Sequence, residues 1–128
     1  FKMAGIKDCR NKVMTLLNSG KACEKMEEII KVQGGNVFDP ENIKIGKFKY
    51  DVQAGKKGVV RNINNKIISR IARIAGAPVN KGSGIYLYKH TGNKVKKGEK
   101  LYTVYAESKQ KLKFAKDFLK DGKGFVVK

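Results

Sequence analysis

The spacing of the apolar residues changes part-way along the chain, and this change restricts the fold more than any other feature of the sequence. Between residues 8 and 33 apolar side chains recur every three or four positions, as they do in amphipathic helices. After the turn-forming residues 39–42, DPEN, they alternate with polar residues, as in FKYDV at 48–52. The sequence therefore predicts helices first and a sheet afterwards.

The first third of the chain predicts a helical hairpin over residues 8–33. Asp8 is expected to cap the first helix, Ser19 and Gly20 to end it, and Gly34 and Gly35 to end the second. Each helix carries one apolar stripe, and two such stripes are too few to enclose a core. The hairpin is therefore expected to dock on the rest of this chain or on further sequence.

The remainder predicts short strands with one helix between them and one after them. The inserted helix begins after Asn64 and Asn65 and ends at Gly76, and the later helix spans about 108–120. The strands are predicted at 48–52, 59–63, 85–88, 95, 101–106 and 125–127. The strand at 85–88 has apolar side chains on both faces, which predicts cover from both sides. These elements indicate an α+β fold with a small antiparallel, barrel-like sheet.

Composition indicates a globular protein with an unusual charge. The 128 residues suit one compact domain with an appendage, and the formal net charge is +18. Most of this charge is lysine spread evenly along the chain, so a solvated lysine surface is favoured over specific nucleic-acid binding. The glycine-basic stretch 54–60, AGKKGVV, keeps an RNA-binding barrel of ribosomal type as an alternative. Four tyrosines that could stack on bases are expected to be core residues instead: Tyr86, Tyr88, Tyr102 and Tyr105.

No residue of this chain is predicted to be catalytic, and no cofactor or metal is predicted. His90 is the only histidine and lies beside a turn, while Ser83 lacks the strand-to-helix setting of a nucleophile elbow. Cys9 and Cys23 lack metal-site spacing and favour the cytosol. No apolar run approaches the ~20 residues that cross a membrane. Because the chain starts at a phenylalanine, it is expected to be a fragment or a processed product.

The stretch GNKVKKGEKL at residues 92–101 resembles the strand-turn-strand of biotinyl and lipoyl carrier domains. In that case the modified lysine would be Lys109. A helical pattern follows this lysine where a carrier domain has an alternating strand, and the Met-Lys-Met signature is absent. A carrier domain therefore stays a third alternative, although the lysine segment that would carry the cofactor lacks the carrier pattern.

Six segments of the chain form an ordered set between residues 15 and 120. The segments are SGKACEKM at 19–26, QGG at 33–35, IARIAGAP at 71–78, KGSGI at 81–85, GNKVKKGEKL at 92–101 and YTVYAE at 102–107. Together and in this order they resemble one enzyme family, the thymidine and pyrimidine-nucleoside phosphorylases, and the residues are most similar to those of the archaeal AMP phosphorylase branch. Met26 stands where the family often has phenylalanine, and Ser83 where it often has alanine.

The resemblance implies that residues 35–128 form a C-terminal α/β-hammerhead domain with a barrel-sandwich-hybrid sheet. Residues 1–34 would be a helical hairpin that closes the preceding helical domain. The family's reaction is phosphorolysis: AMP and phosphate would give adenine and ribose 1,5-bisphosphate, or a pyrimidine nucleoside would be cleaved instead. The residues that bind substrate and phosphate belong to preceding helical and α/β domains. The segment would thus brace a hinge within a cytoplasmic, homo-oligomeric parent enzyme and would be inactive alone.

Overall fold

The computed structural model describes residues 5, 8–35 and 44–128, and the chain divides into two compact units, Phe1–Asn42 and Ile43–Lys128. The predicted turn at residues 39–42 lies outside the described residues. The predicted division between residues 34 and 35 stays a prediction.

The first unit contains the two predicted helices, α1 (Cys9–Asn18) and α2 (Lys21–Val32). Ser19 follows α1, Gly20 has a φ of 78°, and Gly34 has a φ of 76° just after α2. These left-handed positions suit glycine, which has no Cβ, and they confirm the predicted helix ends.

The capping role predicted for Asp8 is wrong. Asp8 occupies the position before α1, but its φ is 56° and its side chain accepts no hydrogen bond from the backbone of the first turn. Its carboxylate instead accepts a bond of 2.9 Å from the Asn11 side chain. A capping side chain needs an extended backbone, which Asp8 does not have.

Neither helix of this unit contains a buried residue. This agrees with the expectation that two apolar stripes enclose no core. On α2, Lys25 and Glu28 form an ion pair on the exposed side. The large apolar side chains that remain exposed are Met14, Leu16, Leu17, Met26, Ile29 and Val32.

The second unit is an α+β domain with two small antiparallel sheets. Its strands are β1 (Phe48–Gln53), β2 (Gly58–Ile63), β3 (Gly84–Leu87), β4 (Lys94–Val95), β5 (Lys100–Ala106) and β6 (Phe125–Val127). Sheet 1 has the order β1-β5-β3, and sheet 2 has the order β4-β2-β6. Within residues 44–128 these strands form two sheets and no closed barrel. The prediction of one barrel-like sheet is therefore corrected to two separate sheets. The strands are short, with two to seven residues each. The central strands, β5 and β2, pair only with the strands of their own sheet, so the two sheets are not joined into one.

Two helices complete this unit, α3 (Asn65–Ala75) and α4 (Lys109–Phe118). The Asn64 side chain accepts hydrogen bonds from the backbone of Lys66 and Ile67, at 3.1 and 3.2 Å, so it caps α3 as predicted. Ser108 caps α4 through a bond of 3.2 Å from the backbone of Lys111. The insertion of α3 between β2 and β3 is the arrangement that the hammerhead resemblance implies.

The core lies where α3, α4 and the two sheets meet. Val60, Ile71, Tyr102 and Val104 are completely buried. The ring of Tyr102 stacks on that of Phe125 with centroids 5.4 Å apart, and this contact joins the two sheets. Its hydroxyl donates a 2.7 Å bond to the carbonyl of Lys123, which satisfies the polar end of a buried ring.

The expectation that β3 is covered on both faces is wrong. β3 lies at the edge of sheet 1 and pairs only with β5. Tyr86 and Tyr88 are 61% and 41% exposed, so they are not core residues. Edge position explains the difference, because an apolar strand at an edge can have one open face, and the sequence does not specify which strand is at the edge. Tyr102 is the confirmed core tyrosine of the predicted four.

None of the helices in the described part of the chain combines the length and hydropathy needed to cross a membrane.

Candidate functional site

Three surface features of the second unit combine polar side chains in defined geometry. The glycine clamp consists of Gly46, residues 76–84 and Glu107. The lysine groove lies between α4 and β1. The tyrosine face is the outer side of sheet 1.

The glycine clamp fastens the loop between α3 and β3 to the end of β5. The carboxylate of Glu107 accepts one bond from the backbone N–H of Gly82, at 2.9 Å, and one from the Asn80 side chain, at 2.8 Å. The Asn80 side chain also accepts a bond from Lys111 of α4. On the other side, the N–H of Gly46 donates to the carbonyl of Gly82 at 2.7 Å. One loop is thus bonded to three separate elements.

Two positions of the clamp need glycine because neighbouring atoms leave no room for a Cβ. A Cβ on Gly46 would lie 2.6 Å from the carbonyl carbon and oxygen of Ala106. A Cβ on Gly76, where φ is 124°, would lie 2.7 Å from the Asn80 side chain and 2.9 Å from that of Ser83. A side chain at position 46 would therefore push the segment before β1 away from β5, and one at position 76 would clash within the loop itself.

The hydrogen bonds of the clamp stabilise the charged form of Glu107. The backbone N–H of Gly82 lowers the pKa of this carboxyl below its ordinary value of 4.5, and the Asn80 amide and the charge of Lys111 lower it further. Glu107 therefore stabilises the folded state above that ordinary value, and this contribution is lost as the pH falls through the lowered pKa.

We expect the substitution Glu107→Gln to lower the thermal midpoint at pH 7, and we expect this effect to shrink as the pH falls from about 4.5 through the lowered pKa of Glu107. The glutamine is uncharged, as the protonated glutamate is, so the difference from the unsubstituted chain should shrink as the pH falls below about 4.5. Thermal unfolding followed by circular dichroism across this range measures the difference. The matched control is Glu24→Gln, on the exposed surface of α2. A difference that stays constant down to pH 3 would contradict the role of the Glu107 charge.

The lysine groove is a concavity of about 640 Å³ with an apolar floor and a basic rim. Val52, Leu112 and Leu119 form much of the floor together with the ring of Tyr50. One carboxylate, that of Asp117, lies on the rim. The rim lysines are Lys109, Lys113, Lys116, Lys120 and Lys123.

Several rim lysines are held by neighbours. The ammonium of Lys116 lies 4.7 Å from the centroid of the Tyr50 ring, which is a cation–π contact. Lys120 pairs with Asp117 at 2.9 Å, and this pair lowers the pKa of the aspartate and raises that of the lysine. Lys123 donates to the carbonyl of Gln53 at 3.3 Å. A single carboxylate against five ammonium groups leaves the groove strongly positive.

The tyrosine face carries a small polar network beside exposed rings. The buried hydroxyl of Thr103 donates to Asp51 at 2.6 Å, and Lys100 pairs with the same carboxylate at 2.7 Å. The hydrogen bond from Lys100, followed by that from Thr103, lowers the pKa of Asp51. The rings of Tyr86 and Tyr88 have centroids 5.0 Å apart. The network fixes β1 against β5 and leaves the two rings at the surface.

Comparison with known proteins assigns the chain to a family. A sequence model of the pyrimidine nucleoside phosphorylase C-terminal domain matches residues 59–123, about half of the chain. The chain belongs to this family. The match begins at the second residue of β2 and extends beyond α4, so it covers all of the glycine clamp except Gly46 and most of the lysine groove.

Curated relatives of this phosphorylase domain are AMP phosphorylases. The protein of Thermofilum pendens is 39% identical over 128 residues, which are 99% of this chain and 25% of that protein. The protein of Methanococcus aeolicus is 45% identical over 103 residues, 80% of this chain and 20% of that protein. The protein of Thermococcus kodakarensis is 50% identical over 98 residues, 76% of this chain and 20% of that protein. The chain thus spans a fifth to a quarter of the length of these relatives.

The structure gives physical reasons for three of the segments by which the phosphorylase family is recognised. KGSGI at 81–85 and YTVYAE at 102–107 are joined in the glycine clamp through Gly82 and Glu107. GNKVKKGEKL at 92–101 forms a turn in which Glu99 accepts a 2.7 Å bond from the backbone of Lys96 and pairs with Lys89 at 2.5 Å. Gly98 of the same turn donates to the carbonyl of Ala54. The lysine-rich turn is therefore part of the scaffold of the phosphorylase domain.

The residues weighed individually from the sequence do not come together in one site. His90 is exposed in a turn, where its backbone N–H donates to Asn93. Ser83 lies in the glycine clamp, where its hydroxyl accepts a 3.3 Å bond from the backbone of Glu107. Lys109 is the first residue of α4 and not the tip of a hairpin, so it lacks the position of a carrier lysine. Among residues 8–35 and 44–128, no three His, Cys, Asp or Glu residues are grouped as metal ligands.

Sequence reasoning missed the lysine groove and the glycine clamp. The groove gathers Lys123, Gln53 and the lysines of α4, which are up to 70 residues apart. One local signal existed, because lysines 109, 113, 116 and 120 recur at helical spacing along one side of the last predicted helix.

Proposed function

We propose that this chain is the C-terminal domain of an AMP phosphorylase. The parent reaction would be the attack of phosphate on C1′ of AMP, giving adenine and ribose 1,5-bisphosphate. The observation that carries the proposal is the match of 99% of the chain, at 39% identity, to a quarter of one AMP phosphorylase. The other relatives cited are also AMP phosphorylases, which favours this reaction over cleavage of pyrimidine nucleosides.

The proposed role of the chain within the parent is structural. The match to only a fifth or a quarter of each relative supports placing the catalytic residues in the other parts of the parent. The exposed apolar stripes of α1 and α2 are the proposed docking surface for the preceding helical and α/β domains. In this proposal the domain braces the hinge of a cytoplasmic, homo-oligomeric enzyme.

Phosphate-dependent base release tests this function. We expect the full-length protein to release adenine from AMP only when phosphate is present, and the isolated 128-residue chain to release none above the buffer rate. Chromatography of free adenine measures both, with uridine and thymidine as parallel substrates. Adenine release by the isolated chain would overturn the structural role. Release of uracil or thymine without release of adenine would overturn the assignment to AMP.

A further inference from the structure

Four lysines of the groove form a row that runs along α4. Lys109, Lys113 and Lys116 lie on one side of α4, and Lys120 continues the row just after the helix, at intervals of three or four residues. At 1.5 Å per residue, the row is about 16 Å long. Charges spaced along such a row suit a ligand whose negative charges are also spaced, because one compact anion would contact only one or two of them.

The floor of the groove adds a second requirement. It is apolar, with the buried Val52 and Leu119 beside the ring of Tyr50, which is 38% exposed. A ligand that fills the groove therefore has flat or apolar groups next to its anions. Single-stranded nucleic acids have both parts, since aromatic side chains stack on bases and lysines follow the phosphates.

The arrangement of the charges supports an anionic occupant. Five ammonium groups share one concavity of about 640 Å³, and the only carboxylate lining it already pairs with Lys120. Lys113 has no ion-pair partner within residues 8–35 and 44–128, and it is exposed. A polyanion that neutralises the row would release its counterions and relieve the repulsion between the lysines.

We propose that the lysine groove binds single-stranded RNA, with the phosphates along the row of lysines and a base on the apolar floor beside Tyr50. This activity is separate from phosphorolysis, because it needs no residue of a reactive centre. A stacked strand advances about 3.4 Å per nucleotide, so the row of about 16 Å spans about five nucleotides. The groove thus has a predicted site size as well as a predicted chemistry.

The test is fluorescence anisotropy of the chain with labelled uridine oligomers of two, five and ten nucleotides. We expect the Kd to fall at least about tenfold between two and five nucleotides, and by much less between five and ten. The slope of log K against log salt should be about −3 for the five-nucleotide oligomer, from −0.7 for each of four phosphates. Equal affinities for two and five nucleotides would overturn the proposal.

A matched pair of variants separates the groove from the overall charge. Lys113→Gln/Lys116→Gln/Lys120→Gln removes three charges from the groove, and we expect it to weaken binding about 10- to 100-fold and to reduce the salt slope by about 2. Lys57→Gln/Lys94→Gln/Lys96→Gln removes the same charge from a separate basin beside β2 and β4. We expect this control to change the Kd less than about threefold. An equal loss in both variants would overturn the assignment to the groove.

Two further measurements keep the result interpretable. Circular dichroism spectra and thermal midpoints of both triple variants should match those of the unsubstituted chain, because the substituted lysines are exposed. Should the groove variant unfold, Lys113→Gln alone replaces it, with an expected loss of about threefold to tenfold. A glutamate pentamer that competes as well as the five-nucleotide RNA would show that the groove takes an acidic peptide, and would overturn the assignment to RNA.

Discussion

Ile71→Ala is expected to lower the free energy of unfolding of the second unit by about 3–4 kcal/mol. Ile71 is completely buried in α3 and belongs to the core that also contains Val60 and Tyr102. The substitution removes apolar atoms and leaves a cavity, and both effects destabilise the fold. Alanine is a better helix former than isoleucine, but this gain is only a few tenths of a kcal/mol. For a unit of this size, the thermal midpoint should fall by at least about 12 °C.

The matched control removes the same atoms from the surface. Ile45 is 61% exposed, so Ile45→Ala should change the free energy of unfolding by less than about 0.5 kcal/mol. Urea unfolding measured by circular dichroism gives both values, and the slope with denaturant should be unchanged. A loss of less than about 1 kcal/mol for Ile71→Ala would mean that α3 does not pack against the sheets as described.

Local sequence signals predicted the helices and their ends well. Asn64, Ser108 and Gly76 act within one turn of the helices that they cap or end, so their effect can be read from neighbouring residues. Asp8 shows the limit of such reasoning. It is a preferred capping residue type, but its backbone conformation prevents capping.

Features that depend on distant pairing were not predicted. The choice between two sheets and a barrel, and the edge position of β3, are set by which strands pair, and an apolar pattern does not specify a strand's neighbours. The exposed rings of Tyr86 and Tyr88 follow from that edge position. Likewise the glycine clamp joins residues 46, 82 and 107, and each of them alone has the pattern of an ordinary turn or strand end.

Gly46→Ala is the second substitution with a large expected effect, a loss of about 2–3 kcal/mol in the free energy of unfolding. The new Cβ would lie 2.6 Å from the carbonyl carbon and oxygen of Ala106 and 2.9 Å from its nitrogen. These are backbone atoms of β5, the central strand of sheet 1, so they cannot rotate away as a side chain would. Relief requires moving the entry to β1 away from β5, which strains the bond from Gly46 to Gly82 and the pairing of the two strands.

Two other glycines make this prediction a graded series. In Gly82→Ala the closest contacts of the new Cβ are 3.0–3.1 Å, so we expect a smaller loss, of about 1 kcal/mol. Gly55 has no atom within 4 Å of its added Cβ, and its backbone is outside the left-handed region, so Gly55→Ala should be neutral or stabilising by up to about 1 kcal/mol. Thermal and urea unfolding of the three variants should therefore rank Gly46→Ala as the least stable and Gly55→Ala as the most stable. The opposite order would mean that the close packing of Gly46 against the backbone of β5 does not stabilise the domain.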